Sequence, residues 1–416
     1  MLPATTRWLA RGLSHRKLRL ARMRPTESRS ALFGIVAGIF VSGTGIGSLL
    51  PILPLYLRER GASYALVGVI VGSALLAQAI GQWPAGILAE RVGAKAMMIG
   101  GLVVAAAASV TFIIPLPIEW LIVLRFVQGL GFAAIIPAEL AAVADVVPRA
   151  KLGRAYGWVS GAQQAGYIGG PAIGGFLAVF GRWTVFAVTG AALLAAAAVI
   201  AVTLRTSSRV RVDNVPRLAV SGPSRAKAAV IAVAILSIGL GLLIGVYDVI
   251  WSLYMRSRGA SDPVVGLSFT LFALPLLVAT PLAGWSSDRW DRRWLAVGSV
   301  VLGSLMGPIY PYLTSIPTIL FVGLFEGALW AFTTPSMNSF LMDAVADRRA
   351  EAQGIVGTAL SSATAVGSLV GGALFALGVA IPFLVAAGAG IVFALAALPW
   401  MLSAGARRPV PEGESA

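Results

Sequence analysis

The chain of 416 residues has no cysteine and a single histidine, His15. Disulfides and thiolate metal sites are therefore excluded. One imidazole near the N-terminus supplies neither a metal cluster nor a Ser/His/Asp set to the rest of the chain. No Gly-Lys dipeptide occurs, so a P-loop is absent and ATP is not the direct energy source. No metal, cofactor or enzymatic activity is expected. Charge is scarce as well: Asp, Glu, Lys and Arg make up 12% of residues, against roughly 25% in soluble domains. That is too little to clothe a water-soluble chain of this size, and disorder, which needs polar and charged composition, is excluded with it.

What is abundant is apolar residue, 58% of the chain, with a mean hydropathy of +0.86. Runs of ~20 apolar residues, each long enough to cross a bilayer, fall at 31–57, 64–89, 96–116, 118–144, 155–180, 183–204, 228–255, 263–287, 294–314, 316–342, 352–378 and 380–403. The expected architecture is an all-α polytopic membrane protein with twelve transmembrane helices in two six-helix bundles. Its parts are a basic cytoplasmic tail (1–30), an N-terminal bundle (31–204), a cytoplasmic linker (205–227), a C-terminal bundle (228–403) and a cytoplasmic tail (404–416).

The net charge of +15 invites a nucleic-acid reading, which needs basic residues gathered on a soluble face. Here they fall in the gaps between apolar runs, so no nucleic-acid partner is expected. With the N-terminus inside, 26 of the 32 basic residues lie in cytoplasmic segments and five in outward loops (Arg58, Arg60, Arg182, Arg256 and Arg258). Arg125 alone falls within a span. This bias satisfies the positive-inside rule and places both termini in the cytoplasm. The Arg-rich tail is expected to lie near anionic lipid, and Met23 offers an alternative start. The predominance of Arg over Lys suits a GC-rich bacterial genome and the plasma membrane as the site.

Displacing the sequence by 198 residues lays one half over the other. Tyr56, Arg58, Arg60 and Gly61 meet Tyr254, Arg256, Arg258 and Gly259; Pro137 meets Pro335, Asp145 meets Asp343 and Gly174 meets Gly372. Membrane composition yields chance Gly–Gly matches but not Tyr-x-Arg-x-Arg-Gly repeated in step with a distant Pro and Asp. Parallel repeats of this kind place a substrate path at their interface.

Three motifs follow. The loop after span 2 reads Gly86-Ile-Leu-Ala-Glu90-Arg91-Val-Gly93-Ala-Lys95; that after span 8 reads Gly284-Trp-Ser-Ser-Asp288-Arg289-Trp-Asp-Arg292-Arg293. Span 4 carries Arg125-Phe-Val-Gln128-Gly129. Span 5 carries Gly166-Tyr-Ile-Gly169-Gly170-Pro171-Ala-Ile-Gly174-Gly175, whose small residues permit close helix approach and whose proline frees backbone groups for a neighbour to satisfy. The repeated loop resembles the signature loop of the major facilitator superfamily, with Glu90 where Asp is more usual. The span 5 motif resembles that of its twelve-helix drug:proton antiporters. The resemblance implies alternating access and proton coupling, with the loops as a cytoplasmic gate that locks the inner side while the protein faces outward. Glu90 would sit near the start of span 11 around Gln353, attracted by its helix dipole, and Asp288 near the start of span 5. Arg91 would latch to Asp145, and Arg289 to Asp343.

A charge at membrane depth costs roughly 2.5–3.5 kcal/mol on insertion scales, which makes each one a functional hypothesis. Glu326, midway along span 10, is the leading proton acceptor and Asp248, in span 7, the second candidate. Arg125 is the cation that either acid, or the substrate, would modulate. Under the 198 offset Glu326 overlies Gln128, and symmetry is expected to turn both toward a central cavity. Glu139 lies nearer the cytoplasmic end of span 4. Gln128, Tyr247, Trp251, Trp330, Phe332 and Asn338 are the expected cavity residues, a set suited to amphiphilic or aromatic solutes. The expected function is proton-coupled efflux of a drug-like or other small solute by a monomer; the alternative is proton-coupled import of a sugar, organic acid or similar metabolite.

Overall fold

A computed structural model of the protein describes residues 25–148, 151–204, 224–345 and 349–405. Of the expected cytoplasmic segments, residues 1–24, 205–223 and 406–416 lie outside the described residues, as do the side chains of Glu90 and Asp288.

The described chain is helical. The first half comprises α1 (Pro25–Glu59), α2 (Tyr64–Val92), α3 (Ala94–Thr111), α4 (Trp120–Val146), α5 (Leu152–Leu177) and α6 (Trp183–Thr203). The second comprises α7 (Ser224–Ser257), α8 (Asp262–Val278), α9 (Thr280–Arg289), α10 (Arg292–Met306), α11 (Ile316–Trp330), α12 (Thr333–Ala344), α13 (Arg349–Leu377) and α14 (Ala380–Ser403). Local chemistry marks several ends. Ser63 caps α2 by accepting from the Leu66 amide at 3.2 Å, and α8 opens with Asp262 and Pro263 after an extended Ser261, as helix N-termini favour.

Among the described residues, ten helical stretches are long and apolar enough to cross a membrane, α11 and α12 counting as one stretch. The bent pair α8 and α9, at 47°, makes eleven. Twelve were expected. The expected span 155–180 falls on α5, a helix of 26 residues that is not among those apolar enough to cross. Its Arg154, Gln163, Gln164 and many glycines leave it too polar to count by composition. Helix surfaces elsewhere expose Phe33, Val202, Phe321 and Leu377, a pattern suited to lipid rather than water.

The halves repeat one packing scheme. In the first, α1 lies along α5 and α6 while α4 packs on α2 and α3; in the second, α7 lies along α13 and α14, and α8 packs on α11. The repeated Tyr-x-Arg-x-Arg-Gly builds the same corner twice. Tyr56 donates to the Phe112 carbonyl and Tyr254 to the Tyr310 carbonyl, each at 2.6 Å. Arg58 and Arg256 bond the carbonyls of Ala62 and Ala260. Gly61 and Gly259 turn the chain with φ of 86° and 83°, a region that suits glycine.

The structure corrects one pairing of the repeat. A Cβ on Gly175 would lie 3.0 Å from the Gly266 Cα, and one on Gly372 would lie 2.9 Å from the Gly68 nitrogen. Gly68 and Gly266 are 198 apart, so the residue equivalent to Gly372 is Gly175, not Gly174. The register therefore slips by one residue before α5, which an ungapped displacement does not reveal among clustered glycines.

Between the halves, α2 runs along α13 and α5 along α8. One core cluster extends across both halves at the end bearing the Gly61 and Gly259 turns, uniting Leu53, Val67 and Phe186 with Val249, Tyr254 and Phe383. At the opposite end the first half has a core of its own, around Ile35, Met98, Val143 and Ile200. The halves are thus joined at one end.

Candidate functional site

Arg182, just before α6, holds that joined end together. Its guanidinium pairs bidentately with Asp262 of α8, Nε to Oδ2 at 2.9 Å and Nη2 to Oδ1 at 3.0 Å, the fork geometry in which Arg–carboxylate pairs are strongest. Nη1 reaches the Leu55 carbonyl at 3.2 Å and Glu59 at 3.1 Å. A second cross-half bond runs from Thr270 of α8 to the Ile168 carbonyl at 2.7 Å. The carbonyl that Pro171 leaves without its helical N–H is that of Tyr167, one residue earlier, so this bond joins the halves without itself compensating the proline.

The span 5 glycines divide between two neighbours. Gly166, Gly170 and Gly174, spaced four apart on one face of α5, abut α1: added Cβ atoms would lie 2.7, 2.6 and 2.1 Å from the carbonyls of Phe40, Thr44 and Ser48. Gly175 abuts α8 instead, with 2.5 Å to the Asp262 carbonyl. The motif is a backbone-to-backbone seam within the first half that continues into the second at its joined end.

The membrane charges fall into three settings. Arg125 donates to Gln128, whose amide nitrogen donates to Ser109 of α3 at 2.6 Å. Arg125 also interacts electrostatically with Asp248 of α7, across the boundary between the halves. Glu326 is 1% exposed. It accepts from the Tyr310 hydroxyl at 2.5 Å and from Trp330 Nε1 at 3.2 Å, both neutral donors. The symmetric pair Gln128 and Glu326 was expected to face a central cavity. Both are instead buried, turned to hydrogen-bond partners inside their own halves. Helical spacing sets angular position, but the partners waiting on α3 and before α11 decide which way each polar head turns. Glu139 of α4, 4% exposed, has a buried Oε2 without a hydrogen-bond partner. It lines a cleft with Ser42, Gln78, Phe132, Gln163 and Tyr167.

The expected cavity residues scatter. Tyr247 stacks on Trp251 with centroids 6.1 Å apart, and Trp251 donates to Ser268 at 2.8 Å. Trp330 is spent on Glu326, and Asn338 is exposed, accepting from Gln353 at 3.1 Å. Phe332 is half-buried at the N-terminus of α12. None of these, nor Gln128, lines the Glu139 cleft. Pattern alone missed that cleft. An acid within a span was visible, but the convergence of α1, α2, α4 and α5 around it was not.

The loop motifs are partly described. Gly93, with φ 95°, makes the turn between α2 and α3 and donates to the Ala89 carbonyl at 2.9 Å. Gly86 and Gly284 meet open space, so close helix approach is not their role. Lys95 caps the α6 carbonyl of Ala201 at 2.7 Å. Asp291 caps α10 by accepting from the Arg293 amide at 3.0 Å and is gripped by the Arg293 side chain. Arg289 was expected to latch to Asp343; it lies over the Trp285 ring, 4.4 Å from its centroid, and Asp343 takes Arg292 instead. The next arginine, three residues on, reaches Asp343 because α10, which it opens, packs on α12. Arg91 is exposed at the end of α2, and Asp145 stands in the last turn of α4. The expected approaches of Glu90 and Asp288 to helix N-termini lie outside the described residues.

A model of the Major Facilitator Superfamily matches residues 35–231 and 229–416. Multidrug resistance protein 2 of Bacillus subtilis (strain 168) is 25% identical over 373 residues, covering 86% of this chain and 92% of that protein. Quinolone resistance protein NorA of Staphylococcus aureus (strain MRSA252) is 24% identical over 379 residues, 88% of this chain and 95% of that one. In fold, the chain is similar to a bacterial homolog of the human lysosomal transporter Spinster in an inward-facing and occupied conformation, with a TM-score of 0.76 at 14% identity over 93% of this chain and 100% of that one. It is also similar to a D-xylose-proton symporter, with a TM-score of 0.72 at 17% identity, covering 90% of this chain and 97% of the other.

Proposed function

Because the chain belongs to the Major Facilitator Superfamily, we propose that it is a proton-coupled exporter of drug-like small solutes, working by alternating access in a bacterial plasma membrane. The observation that carries proton coupling is Glu326, a carboxyl buried in a membrane helix and hydrogen-bonded only by the neutral donors Tyr310 and Trp330. Among the described residues no cation pairs with it, so gaining or losing a proton changes the net charge of that site outright. Asp248 and Arg125, which interact electrostatically between the halves, form a second charge set whose interaction changes whenever the halves move.

The overall resemblance to proteins named for multidrug and quinolone resistance supports export rather than import. Both termini, the 205–227 linker and the loop motifs lie on the inner side in this reading, and the Arg182–Asp262 clasp on the outer. The arrangement is then the one closed to the outside. The protein acts as a monomer, with lipid as its other partner.

The test is transport in vesicles energised by an acid interior, with and without a protonophore. Accumulation of a drug-like dye that the protonophore abolishes is expected. Glu326→Gln should remove gradient-driven accumulation while leaving dye binding in place; gradient-driven transport at the full rate in that variant would overturn the assignment. Uptake in the opposite sense would favour a symporter.

A further inference from the structure

We infer that Tyr310 is the positioning residue for the proton on Glu326: its hydroxyl donates to the carboxylate and, once Oε2 carries the proton, turns to accept from it. The internal repeat supplies the comparison. Tyr56 and Tyr254 donate to the carbonyls of Phe112 and Tyr310 in matching corners, so the 198 offset holds through this region. Under it Tyr310, Glu326 and Trp330 overlie Phe112, Gln128 and Phe132. The acid and both of its donors are thus replaced together. In the first half the neutral Gln128 is held by Ser109 and Arg125; their counterparts are Gly307 and Gly323. A Cβ on Gly307 would lie 2.9 Å from the Tyr247 hydroxyl, and one on Gly323 3.6 Å from that of Tyr310. Tyrosine hydroxyls occupy the space that the other half gives to a serine and a cation.

The two donors differ in what they allow. Tyr310, buried in the 3-10 turn Gly307–Tyr312, reaches Oε2 at 2.5 Å, and Trp330 reaches Oε1 at 3.2 Å. An indole N–H only donates, whereas a phenol hydroxyl donates or accepts. The proton therefore adds to Oε2, where the hydroxyl can rotate to receive it as a hydrogen bond, and Oε1 keeps its donor in both states. No other bond forms or breaks. Among the described residues, the elements packed on α11 bring no free charge to this carboxyl. Asp262 of α8 is held by Arg182, and Arg292 and Arg293 of α10 are paired with Asp343 of α12 and with Asp291. Tyr247 of α7 adds a further phenol. A carboxyl at that depth relies on its neutral donors in whichever state it occupies.

This role rests on Glu326 as the proton site proposed above, and the test separates the two. Infrared difference spectra between acid and alkaline pH are recorded on the full-length protein in liposomes; the Glu326 carboxyl band is the one that Glu326→Gln removes. Tyr310→Phe should move that band to higher frequency, since the acid proton loses its acceptor. The ring is kept, and Phe112 shows that the corner accepts it. Wild-type protein made with fluorotyrosine, whose hydroxyl is the more acidic, should also move the band, with no substitution to disturb folding. Tyr310→Phe should cut gradient-driven dye accumulation roughly 10-fold or more, the range for losing a hydrogen bond to a charged group, and leave dye binding in place. Tyr254→Phe, which loosens the same corner, should leave the band where it is. A band unmoved by both Tyr310→Phe and fluorotyrosine, or moved as far by Tyr254→Phe, would overturn the inference, as would parallel loss of dye binding. A band that answers to Tyr310→Phe in a protein that never moves dye against a proton gradient would keep the positioning role and remove the exporter reading. Spectra in which Glu326→Gln removes no band would overturn both.

Discussion

Tyr56 and Tyr254 show what a single residue can disclose before its contacts are known. Their recurrence at the 198 offset marked them as more than membrane composition. Nothing in the sequence said that each hydroxyl reaches a carbonyl 56 residues onward, because that partner is brought by packing. Replacing Tyr254 with Phe leaves the Tyr310 carbonyl without this donor in a buried site; a loss of about 1–3 kcal/mol of stability is expected, read as a lower melting temperature in detergent. Tyr56→Phe should behave alike, since the corner is the same. The charged candidates were legible by type but not by setting. Burial within a span singled out Glu326 and Asp248, whereas the aromatic donors around the first and the arginine opposite the second are tertiary facts. Glu139 reverses the case: its sequence surroundings are bland, and only the cleft gives it meaning.

Among elements, α5 was the least legible. Its glycines were expected to permit close approach, and they do, but sequence could not say which neighbour each one meets. The contacts now separate them. Gly174→Ala would force a Cβ to within 2.1 Å of the Ser48 carbonyl, a backbone atom that cannot step aside, so this variant should lose folded yield and several degrees of thermal stability. Gly169→Ala meets nothing within 4 Å and should match wild type or exceed it slightly, alanine being the better helix former. Equal behaviour of the two in a melting assay would refute the seam. At the start of α10, side-chain hydrogen bonds from Arg293 hold the Asp291 carboxyl below the usual range, against the opposing pull of burial. A depressed folded value means stability that is present above the unfolded carboxylate pKa and lost as pH falls through the folded one. Asp291→Asn should therefore flatten the acid limb of the melting curve while changing neutral stability by about 1 kcal/mol or less.

For the whole molecule, hydropathy and charge bias carried the architecture, because a bilayer constrains length and loop charge more tightly than water constrains a soluble surface. They could not show which end of the bundle is closed, since every helix is compatible with either state. The Arg182–Asp262 pair does. Its side chains are 11% and 14% exposed, and opening that end must part them. Arg182→Ala should shift the population toward the open state, seen as greater labelling by an impermeant outside reagent of a cysteine placed at Ala178, which is buried at the joined end and already carries a Cβ. An expected preference of about 2 kcal/mol or more follows from leaving Asp262 short of its bidentate partner. Unaltered labelling would show that the pair does not bear on closure.

The contacts beside that clasp carry a mechanical consequence. Where the halves touch at Gly68 and Gly372, and again at Gly175 and Gly266, main chain lies against main chain. Such a joint has no rotamers to reset and no interlocked side chains to withdraw, so each cycle can slide or roll over smooth surfaces. Wear-free repetition of that kind is what a machine needs if it must swing open and shut once for every molecule it moves.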